Sequence, residues 1–92
     1  MITRFVKLTI SEDKIDVFKK IFETNQVHIL NSVGCLHAEV YQDINDKSIF
    51  FTFSKWGSEE DLNAYRNSDL FEGIWKETKK CFSGKPEAWS VA

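Results

Sequence analysis

Residues 2–10 alternate along the chain. Ile2, Val6, Leu8 and Ile10 share one parity with Arg4, while Thr3, Phe5, Lys7 and Thr9 share the other, which is the two-residue period of a strand. The period then changes. Ser11 offers an N-cap, and Glu12 and Asp13 put negative charge where the start of a helix favours it. Ile15, Phe18, Ile21, Phe22 and Ile29 recur at helical spacing, which predicts a helix from about Glu12 to about Asn31. The run "SVGC" ends it, with Gly34 available for a left-handed turn. From Cys35 to Asp43 alternation returns, with Leu36, Ala38 and Val40 against His37, Glu39 and Tyr41. "INDK" reads as a turn and "SIFFTFSKW" as a β-branched and aromatic strand, so the two segments form a hairpin. Ser58 caps the next helix with Asp61 in capping-box position. Ser68, followed by Asp69 and Glu72, reads as a second cap, which predicts a break near Asn67. Leu70, Phe71, Ile74, Thr78 and Cys81 continue the apolar side, "SGKP" stops the helix, and "PEAWSVA" reads as a short last strand.

The order is β-α-β-β-α-β. Right-handed crossovers then give a four-stranded antiparallel sheet with both helices on one face, the ferredoxin-like α+β arrangement, as a single domain over residues 1–92. One sheet face meets the helices. The other carries Phe5, one set of the "IFFTF" aromatics and, by the same reading, Trp89. A contiguous apolar patch of that kind predicts a second copy packed sheet against sheet, a homodimer.

Composition narrows the classes. With 42% hydrophobic and 14% aromatic residues in 92, the chain can bury a modest core and is not disordered. Twelve Lys and Arg against fourteen Asp and Glu are scattered, with no basic face for nucleic acid. No apolar stretch approaches a membrane span, and "MITRFVKLTI" lacks the uninterrupted apolar run of a signal peptide. Cys35 and Cys81 have no metal or redox spacing and read as free thiols of a cytoplasmic protein.

No phosphate loop, dinucleotide turn, zinc-ligand cluster or nucleophile motif is present. His28 reads as a helix-surface residue. His37 and Glu39 stand two apart on one strand face, either a carboxylate-oriented general base or a polar cross-strand patch. The stretch "KWGSEEDLNAYRNSDLF" differs in kind. Trp56 closes a strand where the chain turns into a helix, and Tyr65, Phe71 and Trp75 follow on the face turned toward the sheet. Leu62 and Phe71 suit plain core packing. Trp and Tyr also carry a polar handle, which suits an apolar wall that must hydrogen-bond.

"VGC" at 33–35 and "FSKWGSEEDLNAYRNSDLF" at 53–71 resemble the antibiotic biosynthesis monooxygenase superfamily, the dimeric α/β barrels. Gly34, Cys35, Trp56, Ser58, Leu62, Ser68 and Phe71 match its pattern, while Tyr65 stands where His is frequent and Val33 where Pro is usual. The haem-degrading branch is similar too, but Trp75 occupies the place of its iron-ligating His and Val6 that of its first-strand Asn. Neither haem nor another metal is therefore expected. The resemblance implies a cofactor-independent monooxygenase that takes a small aromatic, a phenol or quinol, together with O2. Trp56 and Tyr65 would be its catalytic residues. Arg4, Val6, His37, Phe71 and Trp75 would line the substrate site, with Arg4 and His37 taking part if their strand parity points them inward. The alternative is a non-catalytic dimeric module of the same fold that binds a small apolar ligand. A pocket with room for an aromatic ring and a convergent polar group favours the first, and a pocket filled by Phe50, Phe71 and Trp75 favours the second. If Trp56 faces the helices, so do Phe50 and Thr52, unless a bulge near Ser54 inverts them.

Overall fold

The computed structural model describes residues 1–92. Strand β1 spans Ile2–Thr9, helix α1 Ile15–Leu30, strands β2 and β3 Cys35–Gln42 and Ile49–Trp56, helices α2 and α3 Glu59–Arg66 and Asp69–Lys79, and strand β4 Glu87–Val91. The four strands form one antiparallel sheet in the order β2-β3-β1-β4. This is the expected ferredoxin-like α+β fold, with the second helical segment divided in two.

The helix boundaries follow from their caps. Ser58 Oγ accepts the Asp61 N–H at 3.1 Å, and Ser68 Oγ accepts the Phe71 N–H at 3.2 Å. Each satisfies a donor that the first helical turn leaves free. The second cap breaks the helix at Asn67. The start of α1 differs from expectation, because Glu12–Lys14 form a 3-10 turn and Ser11 makes no side-chain cap. The turn itself meets the need for a partner, since the Lys14 N–H reaches the Ser11 carbonyl at 2.8 Å.

Gly34 takes φ +80 between α1 and β2. A Cβ there would lie 2.2 Å from the Asp61 carboxylate, so the close approach of α2 needs glycine as much as the backbone angle does.

Direct pairing sets the faces. Val6 stands opposite Thr52, which stands opposite Val40; Arg4 stands opposite Ser54, which stands opposite Ala38. With Leu8, Phe50 and Trp56, these residues look toward the helices. β3 runs in register with β1 through Ser54, so no bulge inverts it. The register shift lies in β2 instead, between Cys35 and His37. It displaces Leu36, which the alternation assigns to the apolar face, and leaves that side chain 59% exposed.

Leu8, Ile10, Phe18, Phe50 and Cys81 form the closely packed core, with Val6, Ile15, Ile21, Val40, Trp75 and Phe82 against it. Trp56 and Leu62 are buried toward the other end of the sheet. The opposite sheet face holds Phe5 and Phe53 with ring centroids 5.2 Å apart, flanked by His37 and Tyr41. Trp89, opposite Phe5 on β4, remains 47% exposed.

Candidate functional site

The sheet floor changes character along its length. Leu8 and Phe50 fill the space under α1 at one end, whereas the next two rows present Thr52 with Val6 and Val40, then Ser54 with Arg4 and Ala38. Short side chains on the floor leave room beneath the helices. A cavity of about 110 Å³ opens there, between the sheet, α1, α2 and α3. For scale, an apolar cavity of roughly 150 Å³ holds one benzene, so this space suits a single ring with a small movement of its walls.

The helices supply the walls. Trp56 stacks on Tyr65 with centroids 4.8 Å apart and ring planes at 28°. Tyr65 meets Phe71 edge-on at 5.3 Å, Phe71 stacks on Trp75 at 5.8 Å, and Trp75 meets Phe82 edge-on at 5.4 Å. The break between α2 and α3 holds this series together. The Ser68 hydroxyl donates to the Tyr65 carbonyl at 2.6 Å while capping α3 through Phe71, so one side chain fixes both rings.

The polar groups are few. Trp56 Nε1 donates to Ser54 Oγ at 3.0 Å, which orients the indole across the floor. The Tyr65 hydroxyl has no hydrogen-bond partner in the protein, and its pKa is pushed up from an ordinary 10 to about 12, first by burial and then by the nearby Cys35. It is therefore a protonated donor at neutral pH. Burial likewise raises the Cys35 thiol. Arg4 donates from Nη1 to Ser90 Oγ at 2.9 Å on neighbouring β4. Burial lowers its pKa, and so does the positive charge of Arg66. Arg66, at the end of α2, also lines the cavity.

Of the residues expected to form a site, Arg4, Val6, Trp56, Tyr65, Phe71 and Trp75 all line this one cavity. His37 does not. It shares the parity of Glu39 and Tyr41, opposite to Ala38 and Val40, and so lies on the open face, where Nε2 lies 3.3 Å from Glu39 Oε1 and its ring packs on Phe53. The Tyr41 hydroxyl donates to the other Glu39 oxygen, so both oxygens of that carboxylate are engaged, although Glu39 also borders the cavity. Arg66, Ser54 and Thr52 were not singled out from the sequence. A weak signal for Arg66 was its place directly after Tyr65 at a helix end. Ser54 and Thr52 needed the parity of β3. As to metals, no three His, Cys, Asp or Glu side chains gather at one point. No helix is long and apolar enough to cross a membrane.

Comparison with known proteins agrees with the architecture. The family model described as antibiotic biosynthesis monooxygenase matches residues 1–76. A conserved protein of Methanosarcina mazei superposes with a TM-score of 0.92 at 23% identity, over 99% of this chain and 91% of that one. A Nitrosomonas europaea protein whose name places it among the antibiotic biosynthesis monooxygenases gives 0.92 at 14% identity, over 100% and 97%. Rv0793 of Mycobacterium tuberculosis gives 0.90 at 11% identity, over 99% and 92%. At such identities the likeness is one of fold. No curated protein matches the sequence.

Proposed function

The chain belongs to the antibiotic biosynthesis monooxygenase family, and on that premise we propose that it oxygenates a small phenol or quinol with O2, without flavin, haem or metal. The observation that carries this reading is the ring-sized cavity walled by Trp56, Tyr65, Phe71 and Trp75, with an unpartnered phenol hydroxyl among those rings.

The chemistry asks little of the protein. Loss of a proton makes a phenol or quinol electron-rich enough to reduce O2. A carbon–oxygen bond forms, the O–O bond then breaks, and one oxygen atom stays on the ring while the other leaves as water. The substrate supplies all four electrons and ends as a quinone, so no outside reductant is needed. The cavity's part is to desolvate the ring, hold it against the indole and phenol faces, and stabilise negative charge as it moves onto oxygen. Tyr65, protonated at neutral pH, is suited to donate a hydrogen bond or a proton to that oxygen and unsuited to act as a base. Trp56, held by Ser54, forms the wall beneath.

The same reading includes a homodimer joined through the open sheet face, which would cover Phe5, Phe51, Phe53 and Trp89. Ten of 92 residues are buried in the single chain, which leaves apolar surface for such an interface to remove from water.

The test is oxygen uptake with a panel of simple phenols and hydroquinones, comparing wild type with Tyr65→Phe. Uptake that depends on enzyme and falls in the variant is expected. Saturable binding of the same compounds without any oxygen uptake would overturn the oxygenase and leave a non-catalytic ligand-binding module.

A further inference from the structure

Arg4 and Arg66 come from distant parts of the chain and border the same cavity. They are close enough for the charge of one to bear on the other. Neither has a carboxylate within ion-pair distance, since the three ion pairs of the fold are Lys7–Glu87, His37–Glu39 and Lys80–Glu77. The acidic residues nearest in sequence do not serve. Glu59, Glu60 and Asp61 sit in the first turn of α2 while Arg66 ends it, and Asp69 opens α3. Glu39 is held by His37 and Tyr41. Arg4 is half-buried, and its one side-chain hydrogen bond is to the neutral Ser90.

Two guanidiniums gathered at an apolar cavity are costly when nothing neutralises them. They repel, Arg4 is partly withdrawn from water, and neither can shed its proton near neutral pH. Their planar donor forks match a carboxylate, and such charge-assisted pairs are stronger and more directional than neutral hydrogen bonds. The remaining walls are aromatic. A ligand that satisfies both features has a flat ring for Trp56, Tyr65, Phe71 and Trp75, and an anionic group at one end.

We propose that the cavity takes an aromatic carboxylate, its ring between the aromatic walls and its carboxylate held by Arg4 from the strand floor and Arg66 from the end of α2. This rests on the reading of the cavity as a site for a single aromatic ring, and it adds the charge of the substrate class. The two arginines are binding residues with a positioning consequence. An acid group fixed at the guanidiniums sets which ring carbon faces Tyr65.

Benzoate and its neutral analogue benzyl alcohol separate the two claims. Binding of each to the intact protein is followed by quenching of Trp fluorescence and by calorimetry, for wild type, Arg4→Gln and Arg66→Gln. Arg66 is exposed, so its variant should fold even if Arg4→Gln does not, and melting curves check both. Benzoate should bind wild type more tightly than benzyl alcohol, weaken with added salt, and lose roughly tenfold or more in each folded variant. Benzyl alcohol should bind all three alike. Equal binding of the two compounds by wild type, or benzoate affinity unchanged in the folded arginine variants, would overturn the anionic subsite while leaving the aromatic site standing. Failure of both compounds to bind wild type would overturn the aromatic site and this inference with it.

Discussion

The indole of Trp56 lies stacked on the phenol ring of Tyr65, with centroids 4.8 Å apart, one at the end of β3 and the other on the last turn of α2. The pair couples sheet to helix. On one side the indole N–H is tied to Ser54, and on the other the Tyr65 hydroxyl has no protein partner. One ring is therefore held by the fold and the other offers a free donor at the cavity.

Tyr65→Phe keeps the ring stack and removes only that donor. Its stability should change by about 1 kcal/mol or less, since no hydrogen bond is broken. Oxygen uptake should fall roughly tenfold or more, with the loss in turnover rather than in substrate affinity. Thermal melts and steady-state kinetics on the same preparations check both. Unchanged turnover would return Tyr65 to packing.

The raised pKa of Tyr65 also makes a statement about alkaline stability. The folded chain holds the phenol proton up to about 12, whereas the unfolded chain releases it near 10. Between those values the folded state binds more protons, so stability falls as pH rises across that window and is unaffected at neutral pH. Denaturant titrations from neutrality upward should show a steeper alkaline decline in wild type than in Tyr65→Phe.

Phe50 and Phe71 should separate by burial. Phe50 is 1% exposed within the closely packed core, and Phe50→Ala should cost about 3–5 kcal/mol. Phe71 is half-buried on the cavity wall, where its loss enlarges an existing space, so Phe71→Ala should cost roughly 2 kcal/mol. Chemical denaturation of both variants gives the comparison. The order would be reversed if Phe71 were the main packing residue.

Gly34→Ala tests the contact between the β2 entrance and α2. The variant must hold a left-handed angle, at about 1–2 kcal/mol, and its methyl must also displace the Asp61 carboxylate. Because that methyl would also lie 2.5 Å from the Asp61 Cβ, which alanine keeps, adding Asp61→Gly should recover the steric part and leave the backbone part. Two purely additive losses in a double-mutant cycle would mean that the two residues do not touch.

The proposed dimer should break with one charge. Phe53 stands at the centre of the open face, against Phe5, His37 and Tyr41. Sedimentation should give twice the chain mass of 10.7 kDa for wild type and the single-chain mass for Phe53→Glu. A wild-type monomer at micromolar concentration would refute the interface.

The sequence by itself determined the elements, because each is a local matter. The alternation of Ile2, Val6 and Leu8, the helical spacing of α1, the serines at 58 and 68 and the Gly34 turn all act over a few residues. It could not set the faces of β3. "IFFTF" is apolar on both sides, so periodicity offers no preference there. Only pairing with β1, Arg4 on Ser54 and Val6 on Thr52, turns Thr52, Ser54 and Trp56 toward the helices. Nor could it take Leu36 off the apolar face, since that depended on a one-residue shift in β2 that local propensity does not record, whereas His37 simply keeps the alternation of Glu39 and Tyr41. The meeting of Arg4 and Arg66 is of the same kind. Antiparallel pairing sets Arg4 beside Ser54 on the cavity floor, and α2, packed over that floor, carries Arg66 at its end to the same cavity. Hydrophobic pattern tells which residues leave water, and tertiary packing alone decides which charges they leave it beside.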